Sequence, residues 1–271
     1  MLSTLITPIG TDANAAVLLN ELDKHAINTS FIPRPSPSDM PISSPTAYVP
    51  RTLTEEYTIA FKNEVDLPLR AGFLRSSGVA GHIAGSDIVF LTFEVSQEAI
   101  HQVVSDLMKS SAGCLLVVTA SPPREDLRID RTILSRIDLL VGSDSEIQRL
   151  SYRNATLDLP TVVQRLINDG VRSVVALSPE EILAASRGTP LMRVQYPEFT
   201  NYDVSGARSA FTVCLAHQLR INAAKMRLHD LQLASVAYGL AANRFGDSEA
   251  MPTIDEILTE ARYLGIIEEP A

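Results

Sequence analysis

The chain has 271 residues, 45% of them hydrophobic and 20% charged, with a formal net charge of −9, which predicts a packed globular protein of one large or two small domains. The negative charge argues against a nucleic-acid binder, because such proteins need a basic surface. No apolar run approaches the ~20 residues that span a membrane, and the N-terminus lacks the pattern of a secretory signal. We therefore expect a cytoplasmic protein without a membrane or nucleic-acid partner.

The first third of the chain alternates between helical and extended patterns. AAVLLNELDKHAI has apolar residues at helical spacing, and the Pro- and Ser-rich stretch FIPRPSPSDMPISSPT that follows breaks regular structure. AYVP and YTIAF are strand candidates on either side of a turn. We expect one domain over residues 1–271, with residues from about 31 to 72 forming an arm or inserted segment.

A regular rhythm of strands and helices begins near residue 87. The strand candidates are DIVFLTF, CLLVVTA, IDLLVG and RSVVALS, and the helix candidates between them are SQEAIHQVVSDLMKS, EIQRLSY and PTVVQRLINDG. Apolar strands that alternate with helices predict a mostly parallel sheet covered on both faces. EILAAS and LMRVQY predict a hairpin, and three further helices are predicted over 206–222, 229–245 and 253–263.

The two cysteines and five histidines do not form a recognisable site. Cys114 and Cys214 stand in the apolar stretches GCLLVV and FTVCLA, which indicates buried side chains in a reducing compartment. The histidines form no close-spaced pair, so we assign no metal ion and no cofactor from these residues.

The turn DVSGARSAF, residues 203–211, precedes a long helix. In parallel sheets ligands bind beyond the carboxyl ends of the strands, and the first N–H groups of a helix attract anions. Two interpretations stay open. Gly206, Ala207 and Arg208 could form an anion or phosphate site, or the turn could be only a helix start that Ser205 caps.

The order of elements and several motifs resemble the ribokinase/pfkB family of carbohydrate and nucleoside kinases, from about residue 3 to residue 262. ITPIGTDANAAVLLNELDKHAINTSFI is similar to that family's "iGkvGdDefG…L…gVdt" segment, VVTASPPR takes the place of "lNpaPar", and DVSGARSAF resembles the signature DTTGAGDAF. The resemblance implies an α/β fold, a ribokinase-like three-layer sandwich with a central, mostly parallel sheet and a reduced or rearranged lid.

The same resemblance implies an altered catalytic turn. In the family, the glycines of the signature let backbone N–H groups reach the transferring phosphate, and the aspartate after them takes the proton from the substrate hydroxyl. Asp203, Gly206 and Ala207 match, but Arg208 replaces the second glycine and Ser209 stands at the catalytic aspartate. A serine is no base near neutral pH, so a general-base contribution of ~10²–10⁴ should be absent. Asp203 could contact a substrate or only form the turn.

The family's N-x-x-E motif, which helps to organise magnesium and phosphate, corresponds to SDSE at residues 143–146. Asp144 and Glu146 could still hold a metal ion or phosphate. The alternative is a plain helix start, with Ser143 or Asp144 as the cap and Glu146 favourable to the helix dipole.

The nucleotide-binding segments differ from the family as well. LSPEEIL carries Ser178 and Glu181 where the family has glycines, and its negative charge opposes ATP. LASVAYGLAANRFGDSEAMPTIDEI is similar to the helix pair that lines the adenine pocket, which implies Ala241 and Asn243 as nucleotide-pocket positions. The chain also starts after the family's leading strands, which predicts uncovered apolar surface and hence a homo-oligomer or a protein partner.

These changes together predict a pseudokinase: a protein that has lost phosphoryl transfer and acts as a binding, regulatory or assembly subunit. Two alternatives stay open. One is a divergent sugar or nucleoside kinase that uses ATP and magnesium, with Asp203 or Asp144 as a displaced base. The other is a sensor that binds a small molecule or an anion in the old cleft.

Overall fold

The computed structural model describes residues 2–33, 42–44, 46–48, 60–62, 69, 71–110, 113–120, 129–150, 157–198, 204, 206–246 and 248–268. The chain divides into two units, Met1–Gly81 and His82–Ala271, and each is described by itself. No helix within the described ranges is both long and apolar enough to cross a membrane.

The first unit is organised around the start of one helix. It contains α1 (Ala13–Lys24), the antiparallel strands β1 (Thr46–Tyr48) and β2 (Ala60–Lys62), the short helix α2 (Ala71–Leu74) and most of α3 (Ser77–Ala84). Asp12 caps α1 by accepting from the Ala15 N–H at 3.0 Å, and it also accepts from the Ser44 hydroxyl at 2.7 Å. These hydrogen bonds, that from Ser44 first, hold the pKa of Asp12 below its usual value.

The second unit carries the main sheet. Its strands are β3 (Ile88–Thr92), β4 (Leu115–Thr119), β5 (Leu139–Ser143), β6 (Ser173–Leu177), β7 (Glu181–Ser186) and β8 (Met192–Gln195). They lie side by side in chain order; β3 to β6 are parallel, whereas β7 and β8 are antiparallel to their neighbours. The predicted alternation of strands and helices is confirmed, and so is the hairpin of β7 and β8 around RGTP.

Seven helices complete the described part of this unit. They are α4 (Gln97–Lys109), α5 (Arg131–Arg136), α6 (Asp144–Arg149), α7 (Leu159–Asp169), α8 (Ala207–Ile221), α9 (Leu228–Ala242) and α10 (Ile254–Tyr263). Because right-handed crossovers between strands in sequential order keep to one side, α4 to α7 cover one face of the sheet. The helices α8 to α10 pack on the opposite face, which gives the predicted three layers.

Alternate residues of each strand serve the two faces. Val117, Leu139 and Val175 have no exposed surface and form one core with α8 and α9. Leu116 and Val174, which point the other way in a pleated strand, are equally buried. The strands are apolar throughout because both of their faces are covered, so polar side chains can serve a site only where the strands end.

Both cysteines are buried, as the apolar contexts predicted. Burial raises the pKa of both thiols, to about 12 for Cys214. The short helix α5 was not predicted, because ILSR alone is too short for a periodic pattern; Asp130 fixes it by accepting from the Ile133 N–H at 2.9 Å.

Gly170 and Gly188 offer a matched test of the second unit. Both have positive φ, +127° and +78°, but a Cβ on Gly170 would lie 2.9 Å from the Ser135 Cα, whereas a Cβ on Gly188 would meet open space. We expect Gly188→Ala to cost about 1 kcal/mol of unfolding free energy from strain alone, and Gly170→Ala to cost at least about 2 kcal/mol. Urea denaturation of both variants measures the difference, and equal losses would contradict the packing of Gly170 on α5.

Candidate functional site

The first component of the site is the turn from β5 into α6. The Ser143 hydroxyl accepts from the Glu146 N–H at 3.3 Å, and the Glu146 carboxylate accepts from the Ser143 N–H at 2.8 Å. This reciprocal pair is a capping box, which satisfies two N–H groups at the start of the helix. SDSE is therefore a capped helix start, one of the two interpretations of the sequence, and the capping holds the Glu146 side chain at only 10% exposure.

The second component is an ion pair that joins this turn to the start of α8. The Arg208 guanidinium donates from Nη1 to Glu146 Oε2 at 2.6 Å. The arginine side chain is 40% exposed and the glutamate side chain 10%. A carboxylate that is nearly buried needs a compensating charge, and Arg208 supplies it. The structure thus brings together two residues that the sequence had assigned to separate motifs.

The start of α8 is the turn for which the sequence predicts an anion site. Gly206 is buried and stands at the N-cap with helical angles, φ −83° and ψ −15°. The Ala207 N–H donates to the Val204 carbonyl at 3.2 Å, so this donor is already used. No acceptor for the Arg208 N–H lies among the described residues, and the Ser209 side chain is exposed beside it. A binding role for Gly206, Ala207 and Arg208 stays a prediction; Asp203 and the suggested cap Ser205 lie outside the described residues.

The carboxylates at this turn are already hydrogen-bonded within the protein, and a metal or phosphate role for Asp144 and Glu146 stays a prediction. Glu146 Oε2 already accepts from Arg208 and from the Ser143 N–H, and Asp144 Oδ1 accepts from the Ser145 N–H at 2.6 Å. In the described part of the chain, no three His, Cys, Asp or Glu side chains are grouped so that they could hold a metal ion. Both recorded contacts of Glu146 use Oε2, so a divalent cation at this carboxylate would lie close to the Arg208 guanidinium, and the two like charges would repel each other.

The proposed nucleotide loop is a tight hairpin between β6 and β7. The Ser178 N–H donates to the Glu181 carbonyl at 3.0 Å, and the pairing of Ser143 with Leu177 places Ser178 at the same sheet edge as Asp144. The Glu181 carboxylate is paired with Arg193 on β8. The expected repulsion of ATP by Glu181 is therefore weakened, because Arg193 offsets its charge.

Two tyrosines extend the site and were not identified from the sequence. The rings of Tyr196, just after β8, and Tyr238, on α9, have centroids 4.8 Å apart. Burial raises the pKa of Tyr196, and the neighbouring Tyr238 and Asp144 charges add to the shift. No local pattern could have revealed this pair, because the two rings come from different layers of the fold.

The remaining predicted positions lie at the end of α9. A short connection joins α8 to α9, so the helices are antiparallel and the end of α9 returns toward the start of α8. Ala241 has no exposed surface and belongs to the core, whereas Asn243 is the exposed C-cap of α9. Of the two, only Asn243 is exposed to solvent, and both assignments to an adenine pocket stay predictions.

Several solved structures with the same architecture are described as ribokinases or as a fructokinase. Ribokinase from Thermotoga maritima matches with a TM-score of 0.78 and 17% sequence identity, over 96% of this chain and 81% of that chain. Ribokinase from Giardia lamblia matches with a TM-score of 0.79 and 16% identity, over 96% of this chain and 82% of that chain. Arabidopsis thaliana ribokinase, solved with ribose and ATP, matches with a TM-score of 0.76 and 18% identity, over 95% of this chain and 81% of that chain. The chain has the ribokinase fold.

The identity to these ribokinases is below 20%, so the match establishes the fold and leaves the activity to the residues of the site. No protein-family model matches the chain, and no curated protein does. Within the ribokinase fold, the carboxyl edge of the sheet combines the capping box of Ser143, the Arg208–Glu146 ion pair and the exposed Ser209 hydroxyl. Of these features, the ion pair has the largest effect on the charge that this edge offers to a ligand.

We expect a double-mutant cycle to detect the ion pair in solution. Arg208→Gln and Glu146→Gln, singly and together, should give a coupling free energy of about 1 kcal/mol, since the arginine is partly exposed to solvent. Urea denaturation of the four proteins measures it. The control is the same cycle on Glu21 and Lys24, an exposed pair at 2.8 Å, for which we expect about 0.3 kcal/mol. Equal coupling in the two cycles would contradict a special role for Arg208.

Proposed function

We propose that this ribokinase-fold protein does not transfer phosphoryl groups, and that it acts as a binding, regulatory or assembly subunit. The observation that carries the proposal is the 2.6 Å ion pair between Arg208 and Glu146 at the carboxyl edge of the sheet. Phosphoryl transfer depends almost entirely on the positioning of the reactants and on the stabilisation of charge. A paired arginine and a serine at the position of the base would impair both the charge stabilisation and the proton transfer at this turn.

Arg208 affects both sides of that chemistry. It stands where the resemblance places a glycine whose backbone faces the phosphate, and its guanidinium already pairs with Glu146 Oε2. An arginine can stabilise a developing negative charge in phosphoryl transfer. Here that ability is reduced, because Glu146 already neutralises the guanidinium.

Ser209 supports the same conclusion. Its hydroxyl is exposed at the first turn of α8, at the position where the resemblance places the base. A serine hydroxyl needs a neighbouring base before it can accept or transfer a proton at neutral pH. Among the described residues, no histidine or carboxylate is hydrogen-bonded to it.

Asp144 favours the alternative of a divergent kinase. It is half-buried at the same edge, close enough to Tyr196 to influence that group, and no cationic side chain pairs with it among the described residues. A carboxylate in that position could serve as a displaced base toward a sugar hydroxyl. One structural neighbour is described with ribose and ATP, so these are the first ligands to test.

A coupled assay with ATP, magnesium, and common sugars and nucleosides tests the proposal directly. We expect turnover far below the usual kinase range of about 1–100 s⁻¹. Calorimetric titration with ATP–magnesium, ADP and ribose on the same protein identifies what the site binds. Turnover near ~1 s⁻¹ or above on any of these substrates would overturn the proposal and favour Asp144 as the base.

The double substitution Arg208→Gly and Ser209→Asp examines how complete the loss is. It restores the bare backbone and the carboxylate of the family signature, yet the LSPEEIL hairpin with Ser178 and Glu181 remains. We expect no turnover near ~1 s⁻¹. A fast kinase would show that the turn alone accounts for the loss, and circular dichroism on each variant controls for folding.

The assembly role rests on β3, an outermost described strand of the main sheet. Among the described strands, β3 pairs only with β4, and the Phe90 side chain on this edge strand is 48% exposed. An apolar edge strand is a template for another chain. We expect self-association through β3, which sedimentation at micromolar concentration detects and Phe90→Lys weakens. Val213→Lys, at an equally exposed position (53%) on α8, is the control, and a monomeric wild type would contradict this role.

A further inference from the structure

A cavity lies at the opposite end of the strands from the candidate site. Its volume is about 500 Å³, and it opens where β4, β5 and β6 begin. This is within the size range of pockets that hold small molecules. The polar side chains of its wall include Arg136, Asp138, Arg172, Arg187 and Arg220.

One buried carboxylate organises the deep part of this cavity. Asp138 accepts from Arg136 at 2.7 Å, lies 3.2 Å from the Arg172 Nε, and accepts from the Leu116 N–H at 2.9 Å. Arg136 is 17% exposed and donates a second hydrogen bond to the Cys114 carbonyl at 2.9 Å. Asp138 and Arg136 therefore belong to the structure of the sheet edge, and Arg172, which is 52% exposed, adds a charge beyond what Asp138 requires.

The outer arginines are held in position by contacts that use only part of their hydrogen-bond donors. Arg187 is exposed and donates to the Gly170 carbonyl at 2.6 Å, a neutral acceptor. Arg220 donates to Asp87 at 2.6 Å, and Asp87 is 76% exposed, so water screens that pair. Each guanidinium has five N–H donors and these contacts use one or two, which leaves donors for a ligand.

The local charge contrasts with the charge of the whole chain. Four arginines face the two carboxylates Asp138 and Asp87, which leaves a surplus of two positive charges around one cavity, whereas the whole chain carries −9. Two such charges on planar donor groups match a ligand with two anionic groups, because guanidinium binds phosphate oxygens in a fixed fork. The cavity is too small for a folded partner to enter.

We propose that this cavity binds a small molecule with two or more anionic groups, of the class of a diphosphate or a bisphosphorylated metabolite. The competing explanation is that the arginines only stabilise helix ends, since α4, α7 and α8 all end at this edge and the negative ends of their dipoles attract cations. That explanation accounts for the bond from Arg187 to Gly170. It does not require a cavity, and it predicts no ligand.

Pyrophosphate is the probe, and calorimetry and NMR at low salt measure its binding. Orthophosphate and neutral ribose are the comparison ligands. We expect pyrophosphate to bind about tenfold more tightly than orthophosphate, because a second charged contact is worth about 1.5 kcal/mol, and ribose to leave the cavity signals unchanged. NMR shifts should fall on residues 113–115, 135–138 and 219–224. The absence of pyrophosphate binding, or equal affinity for orthophosphate, would overturn the proposal.

Substitutions locate the binding. The double substitution Arg172→Gln and Arg220→Gln should weaken pyrophosphate binding by about tenfold or more. Arg187→Gln should weaken it by about three- to tenfold, and within the protein this variant loses only a hydrogen bond to a carbonyl. The matched control is Arg193→Gln, since Arg193 is 54% exposed and paired with Glu181 at the other sheet edge; we expect less than about a twofold change.

Arg208→Gln separates the two edges of the sheet. If pyrophosphate binding is lost in this variant and kept in the variant with both Arg172→Gln and Arg220→Gln, the anion binds at the start of α8 and the proposal for the cavity is wrong. An equal loss in Arg193→Gln would likewise indicate a general effect of charge. The test is independent of phosphoryl transfer, so its outcome does not depend on the proposed loss of kinase activity.

Discussion

The burial of both faces of the main sheet is the constraint on which the rest of the structure depends. Val117, Leu139 and Val175 are fully enclosed on one side, as Leu116 is on the other. No polar side chain can be placed there without a large desolvation cost. Polar chemistry is therefore confined to the two edges where strands begin and end, which is where both the ion pair of Arg208 and the arginine cavity lie.

The strand β5 shows how the chain places charge at these edges. Asp138 precedes it and Glu146 follows it by three residues; both carboxylates are nearly buried, and both are paired with arginine. Removing either arginine partner would leave a buried carboxylate with less compensation, which costs more than the loss of an exposed ion pair. The two edges nevertheless differ, because Glu146 faces one guanidinium and the Asp138 edge carries surplus positive charge.

Sequence reasoning predicted the local features and missed the long-range ones. The apolar runs around Val117 and Val175 follow rules that act within a few residues, so the sheet and its helices could be predicted. The pairing of Arg208 with Glu146 joins residues 62 positions apart, and only the packing of α8 against the sheet decides it. Sequence reasoning placed the two residues in separate motifs, and no periodic pattern predicts a contact over this separation.

Arg208 also explains how this edge is stable without a ligand. In a site that binds a metal ion or a phosphate, the buried Glu146 would depend on that ligand for its compensating charge, and the ligand-free state would be destabilised. A guanidinium on α8 provides the charge permanently, because it is covalently attached and its 2.6 Å contact needs no second molecule. The glycine that the resemblance expects at this position could not do so. Arg208 therefore acts as an internal cation, and the folded state does not depend on a ligand to compensate the charge of Glu146.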